Sequence, residues 1–473
     1  MNEKVVWGGM MFKQALDRRA EQGRPINVGF VGAGRMGTGA IAQIGLMRGI
    51  RNAVIADLST ERVLRAFELC RYRREDVVAT NLRSVAADAV RAGKPVATQD
   101  ADMLADLEID VVVEATGSPE IGAQVAMRSI LARKHIVMLN VETDVVVGPI
   151  LYRMARAAGV VYTVSSGDEP GLIAEYHDRY AGLGFEIVAV GKAPSSIGLF
   201  DRYATPDSVA EDAKRLGVNP HFLVTFRDAT KTMIEMACIS NYTGLVPDIR
   251  GMHGPIAGVH EVPKLFRPKS EGGLLNRRGV VDYARPLKHP DGSIDFDRSV
   301  TPGVFLCVYT DNEQIREDMD YLDVTGSDGY YNMYTPYHLV TNEIPLSVVN
   351  AVEFNHPTIV PKLGLVTEVF GAAKRPLKAG EIIDGAGGAS VYALNDLYET
   401  TRAENIVPLG LLTGAKLRCD VPTDTPVTAD MVELIDDTTL HHLRAMQDAG
   451  AAGPVTPRSD QPRREAGENR VAA

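Results

Sequence analysis

Residues 26–45 read INVGFVGAGRMGTGAIAQIG, a short apolar strand that breaks into glycines and then into a helical pattern. Gly32, Gly34 and Gly37 fall in the order G-x-G-x-x-G, with Arg35 and Met36 inside the loop. Such spacing carries meaning where a strand precedes it and a helix follows, as it does here. The first glycine permits the tight turn. The second lets a pyrophosphate approach the backbone, and the third lets helix and strand pack closely. The first N–H groups of the helix then offer donors and a partial positive charge to the phosphates. The loop therefore predicts a dinucleotide-binding unit. Asp57, at the end of the next strand NAVIAD, stands where a carboxylate binds the adenosine ribose 2′-hydroxyl, which favours NAD. Arg62, close by in sequence, leaves NADP open.

Working outward, IDVVVEAT, HIVMLN and VVYTVSS are further continuous apolar, β-branched runs with helical patterns between them. That alternation predicts an α/β fold over residues 25–165, a doubly wound parallel sheet covered on both faces. Ala115, Thr116 and Gly117 end one of these strands and are small enough to admit the nicotinamide ribose. Asn140, Glu142 and Asp144 follow the end of the next. Residues 1–24 read as a short helix from Met10 to Glu21, without the pattern of a signal peptide.

From residue 166 to 361 the pattern turns to α+β. GFEIVAVGKA, FLVTFRDATKTMIEMACIS and PGVFLCVYT read as strands with long connections, and residues 266–298 as loops. KTMIEMACISNYTGL also reads as helical, which places Lys231 and Glu235 on one face. Residues 362–450 form a small β-rich module, and the polar residues 451–473 a disordered tail.

Several polar groups fall beyond strand ends, where substrate belongs. Asp168 and Glu169 lie at the junction of the first two domains, though paired acids also suit a solvated turn. Lys192 ends the run IVAVG, and a partly desolvated ammonium there can exchange a proton with a carbonyl or alkoxide oxygen as hydride moves. His253, Tyr337, His338 and Glu343 are open between structural and acid/base roles. His441 and His442 read as surface residues of a late helix.

The net charge of −11 over 473 residues argues against a nucleic-acid or acidic-membrane partner. No apolar run approaches the ~18 residues of a membrane span. Cys70, Cys238, Cys307 and Cys419 are far apart and show no metal-ligand spacing, consistent with a reduced, cytoplasmic protein.

Between Leu16 and Asp448 the ordered segments VGAGRMGT, EATGSPEIGA, VMLNVETDVVVGP, SSGDEP, GKAPS, KTMIEMA, TGLVPDIRGMHGP, GVVDY, PGVF, YHL, EIPL and PLGLLTG accumulate. On these the chain resembles the bacterial 1-deoxy-D-xylulose 5-phosphate reductoisomerase-like family, which is related to homoserine dehydrogenase. The resemblance implies a Rossmann domain, a catalytic and dimerisation domain, a C-terminal SAF-like module and a homodimer. It implies isomerisation of a phosphorylated keto-sugar followed by reduction with NADPH, with a divalent metal where isomerisation occurs. Lys192 would then be the proton donor, with Asp168, Glu169 and Lys231 lining the substrate pocket, and Asp168, Glu169 and Glu235 orienting hydroxyls or holding the cation. Two features depart from relatives: Asp57 replaces basic residues suited to NADP, and GKAPSS lacks the second lysine of a G-K-G-K pattern. Plain dehydrogenation of a sugar acid or amino-acid semialdehyde, and a non-catalytic cofactor-bound sensor, are the alternative readings.

Overall fold

The computed structural model describes residues 8–194 and 200–450. The tail and the Ser195–Ser196 end of GKAPSS lie outside the described residues. The opening helix spans Gly8–Glu21.

The glycine loop joins strand β1 (Ile26–Val31) to the helix Arg35–Gly45. The sheet around it continues through β2 (Ile50–Ala56), β3 (Val78–Ala79), β4 (Val96–Thr98), β5 (Val111–Glu114), β6 (His135–Met138) and β7 (Tyr162–Val164). All pairings are parallel, in the order β3-β4-β2-β1-β5-β6-β7. Strand order reverses between β1 and β5, and the crevice at such a switch point is where ligands bind. Apolar residues of both sheet faces enter separate buried clusters, which explains why the strands read as unbroken apolar runs. The helix Ile344–Phe354 belongs spatially to this sheet: Ile344, Val348 and Val349 share the cluster of Ile26, Val28 and Phe30.

A second, mixed sheet contains β8 (Glu186–Lys192), β9 (Val246–Pro247), β10 (Val280–Tyr283), β11 (Val304–Tyr309), β12 (Gly326–Ser327) and β13 (Tyr330–Thr335), in the order β12-β13-β11-β8-β10-β9. Strand β8 is central, pairing antiparallel with β11 and parallel with β10. Two helices, Glu169–Gly182 and Thr230–Thr243, cover one face.

The strand reading of FLVTFRDAT is corrected. Residues Pro220–Arg227 are a helix, started by Pro220 and by Asn219, whose side chain accepts the His221 N–H at 2.8 Å. Its Phe222 and Phe226 meet edge to face four residues apart, so the aromatic content that suggested a strand is one helix face. The strand reading of KTMIEMACIS is corrected with it: this is a helix apolar on nearly every side, because it is buried on every side. The loop reading of residues 266–298 also misses β10, a four-residue strand enclosed by polar flanks.

The C-terminal module builds on the hairpin β14 (Thr367–Ala373) and β15 (Val391–Leu397), with a short pair β16 (Lys416–Leu417) and β17 (Val432–Glu433). It is anchored by a buried ion pair. Lys374 Nζ lies 2.9 Å from Asp228 Oδ2 and also donates to the carbonyls of Ala204 and Gly388. Asp228 in turn accepts the Thr230 N–H at the start of the Thr230–Thr243 helix. Lys374→Met should therefore cost about 3–5 kcal/mol in denaturant unfolding, because it strands a buried carboxylate. Adding Asp228→Asn should recover part of that loss. A single variant as stable as the parent would contradict this anchoring role.

Candidate active site

At the mouth of the first sheet, Gly32 has φ +99° and a Cβ on it would fall 2.8 Å from the Ala115 carbonyl oxygen. A Cβ on Gly37 would fall 2.1 Å from the Gly32 carbonyl oxygen, so the helix can start here only on a glycine. A Cβ on Gly34 meets nothing within 4 Å. Gly34 thus faces open space, as a phosphate cradle requires. Met36 packs against the cluster beneath the loop, and Arg35 is exposed.

Asp57 is tied to this loop. Its Oδ2 accepts the Ala33 N–H at 2.8 Å, its Oδ1 accepts Ser59 N–H at 2.8 Å, and Arg62 reaches Oδ1 at 3.0 Å. Ala115, Thr116 and Gly117 border the same crevice, with Thr116 and Gly117 exposed. Beneath them Glu114 is wholly buried and accepts the Thr116 N–H and hydroxyl. Burial pushes its carboxyl up to about 7, against the pull of those donors. Asn140 caps the helix Val141–Ala158, accepting the Thr143 N–H at 3.1 Å and donating to the Ser118 carbonyl at 2.9 Å.

The polar cluster forms where the two domains meet. Lys192, at the inner end of β8, is 1 % exposed. Its Nζ lies 2.5 Å from Glu169 Oε1 and pairs closely with Glu235 Oε2. Glu169 stands in the first turn of its helix, where Pro170 sets the backbone and Asp168 is the N-cap residue. Lys231, one turn before Glu235, lies 2.9 Å from Glu142 Oε1 and 3.7 Å from Glu235 Oε1. Glu142, expected on the cofactor side, therefore also reaches the catalytic domain. His338 Nε2 is 3.5 Å from Glu169 Oε2, and its Nδ1 is 2.8 Å from the Pro302 carbonyl oxygen.

All five residues expected to be catalytic come together here. His338, left ambiguous by the sequence, joins them. Asp144 does not: it takes a hydrogen bond from Tyr162 at 2.8 Å inside the core. His253 pairs with Asp248 at 2.8 Å on the edge of the second sheet. His441 and His442 sit on the late helix Thr439–Gly450. Cys70, Cys238 and Cys307 are buried and Cys419 is exposed, all free.

The charges divide unequally. Burial would lower the Lys192 ammonium, but the Glu169 and Glu235 carboxylates hold it above its ordinary value. Lys231 is held up in the same way by Glu142, Glu235 and Asp168. Burial, with the Glu169 and Glu235 charges, pushes Asp168 well above the usual carboxylate range. Burial would raise Glu169 as well, but Lys192 and His338 hold it low. Glu235 is raised by burial and by Glu169, against the pull of both lysines. An ammonium, a low acid and a raised acid thus stand in contact.

A cavity of about 230 Å³ adjoins the cluster, walled by Gly117, Ser118 and Glu142, by Ile234, and by Asp384 and Thr413 of the C-terminal module. Among the described residues, no helix is long and apolar enough to cross a membrane.

The glycine loop at the switch point of the first sheet and the matching families together define an NAD(P)-dependent oxidoreductase. Residues 32–165 match the NAD-binding domain of homoserine dehydrogenase, 167–344 the catalytic domain of oxidoreductase DRL, and 372–433 the SAF domain. No curated protein matches the chain. Similar solved structures include a homoserine dehydrogenase from Thiobacillus denitrificans, at 16% identity over 80% of this chain and 94% of that one, TM-score 0.39. A probable dehydrogenase from Thermotoga maritima is 14% identical over 71% and 92%, TM-score 0.36. A DOX-P reductoisomerase with fosmidomycin and magnesium is 17% identical over 45% and 56%, TM-score 0.31.

The two glycines should separate in mutagenesis. Gly34→Ala should leave thermal stability near that of the parent and weaken NADH binding. Gly37→Ala should lower both, since the Gly32 carbonyl must move. Equal NADH affinity in Gly34→Ala, by fluorescence titration, would rule out the cradle.

Proposed function

We propose that this oxidoreductase acts on a small, sugar-derived hydroxy-carbonyl compound and couples rearrangement of its carbon skeleton to reduction. Lys192 carries the reading. As hydride reaches the carbonyl carbon, negative charge develops on its oxygen, and the Lys192 ammonium gives that oxygen a proton. Glu235, in contact with Lys192 and raised by burial, would take up a proton and relay it to the neutral amine. Asp168 and Glu169, side by side at the start of their helix, orient neighbouring substrate hydroxyls.

The rearrangement is supported by a second observation. Asp168, Glu169 and His338 each present a ligand atom, all within 4.8 Å of one another. Glu169 keeps Oε1 for Lys192 and turns Oε2 toward His338, so a cation here need not displace the lysine. Two carboxylates and an imidazole suit a divalent ion. When bound, such an ion would polarise adjacent substrate oxygens, the Lewis-acid chemistry that a skeletal shift needs.

Lys192→Ala should cut turnover about 100-fold or more while NADH affinity holds. Unchanged turnover would sink the assignment. The product separates the alternatives. A rearranged skeleton supports the proposal, and an intact one indicates plain dehydrogenation of a sugar acid or semialdehyde. NADH binding without turnover on sugar phosphates, sugar acids or semialdehydes would indicate a sensor.

Asp57 supports NAD over NADP, because its carboxylate repels a 2′-phosphate, although Arg62 beside it is exposed and can turn toward one. NADH should bind more tightly than NADPH, and Asp57→Ala should narrow the gap. Tighter NADPH binding by the parent protein would overturn this preference.

A further inference from the structure

On the face of the second sheet that carries Lys192, its direct partner on the parallel neighbour strand is Tyr283. Parallel strands lie about 4.8 Å apart, so the phenol ring stands beside the lysine stem. Tyr283 is 4 % exposed, yet its hydroxyl makes no hydrogen bond to any described residue. Gly254 makes room for it: a Cβ there would fall 2.1 Å from the ring and 2.3 Å from the hydroxyl oxygen.

Two guanidinium groups surround this tyrosine. Arg285 follows it by two residues, and its Nε donates to the Gly254 carbonyl at 2.6 Å, beside the phenol. Its guanidinium also lies 5.5 Å from the Phe200 ring, and Arg202, two residues on from Phe200, lies 5.1 Å from the Tyr392 ring. Burial and the adjacent Asp282 charge push the Tyr283 hydroxyl up, and both arginines are near enough to pull it down in part. Both are half-buried, and neither has an ion pair among the described residues. Comparable half-buried arginines are paired: Arg250 with Asp396 and Glu404, Arg278 with Glu186 and Glu271. Asp424, on the Arg202 side, is occupied by the hydroxyls of Tyr203 and Tyr392.

We propose that Arg202, Arg285 and Tyr283 form an oxyanion subsite, holding a carboxylate or phosphate group of the substrate whose reacting carbon lies at Lys192. The guanidinium fork matches the geometry of either group, and the phenol adds one more donor. The placement also fixes orientation. The acids around Lys192 repel an anion, while the arginines draw it to the opposite end. A small substrate can then bind in only one direction, with its neutral hydroxy-carbonyl end on the lysine.

This proposal rests on the reading of Lys192 as the proton donor, but its test reads binding alone. The NADH-saturated protein, whose glycine loop is already filled, is titrated calorimetrically with inorganic phosphate and with malonate at constant ionic strength. At least one should bind saturably. Arg202→Gln and Arg285→Gln should each weaken it about tenfold, and Arg285→Lys less, with NADH affinity unchanged as evidence of an intact fold. Tyr283→Phe should weaken it by a smaller factor. Preference for phosphate points to a phosphorylated substrate, and preference for malonate to a sugar acid. No saturable binding of either anion, or equal binding by the parent and both glutamine variants, overturns the subsite. Loss of turnover in Lys192→Ala is independent of these outcomes.

Discussion

A lysine sealed from water must be met by opposite charge, because an uncompensated buried ion costs several kcal/mol. Lys192 lies at the inner end of the central strand β8 and is 1 % exposed, so the elements around it have little freedom. One carboxylate comes from the helix that opens the second domain and the other from the buried helix Thr230–Thr243. One turn before the second, Lys231 reaches Glu142 on the first domain. Opposite charges therefore run in contact from Glu142 through Lys231, Glu235 and Lys192 to Glu169. The series crosses the seam between the nucleotide-binding domain and the second sheet, and a shift of either domain would break it.

The helix that supplies Lys231 and Glu235 is also the seat of the C-terminal module. Near its start, Asp228 pairs with Lys374 and the Thr230 hydroxyl accepts the Ala393 N–H at 3.1 Å. Near its end, the Asn241 side-chain oxygen accepts the N–H groups of Val366 and Thr367. A second buried pair, Arg444 with Glu368, ties the hairpin to the final helix, and Arg444 and Gln447 reach the Val146 carbonyl on the first domain. The module is thus fixed at both ends of the helix Thr230–Thr243 and walls the cavity beside it.

How much of this could be read from the sequence depends on the range of the interactions. The glycine loop was legible because turn, strand and helix lie within twenty residues and each glycine answers a local constraint. Lys192 was legible as a cation closing an apolar strand, and Lys231 with Glu235 as one face of a helix. His338 was not, since it meets Glu169 only through the fold, across 169 residues of chain. Tyr283 and Arg285 were hidden for another reason. Strand β10 is four residues long within a polar stretch, and its period is too short to register. The Pro220–Arg227 helix misled because its aromatic pair is a helical feature that composition alone assigns to strands.

Four acids, Glu142, Asp168, Glu169 and Glu235, face two lysines. Were all ionised, the buried cluster would carry two uncompensated negative charges at its most enclosed point. The arrangement avoids this by giving each acid a different environment. Glu142 is partly exposed and paired with Lys231, and Glu169 is enclosed by Lys192 and His338. Asp168 is pushed up by burial and by the neighbouring acids, with no lysine in contact to hold it down. Glu235 shares its two oxygens between Lys192 and Lys231, yet is raised by the neighbouring Glu169. Lys192 thus lies in contact both with an acid held low and with an acid pushed up.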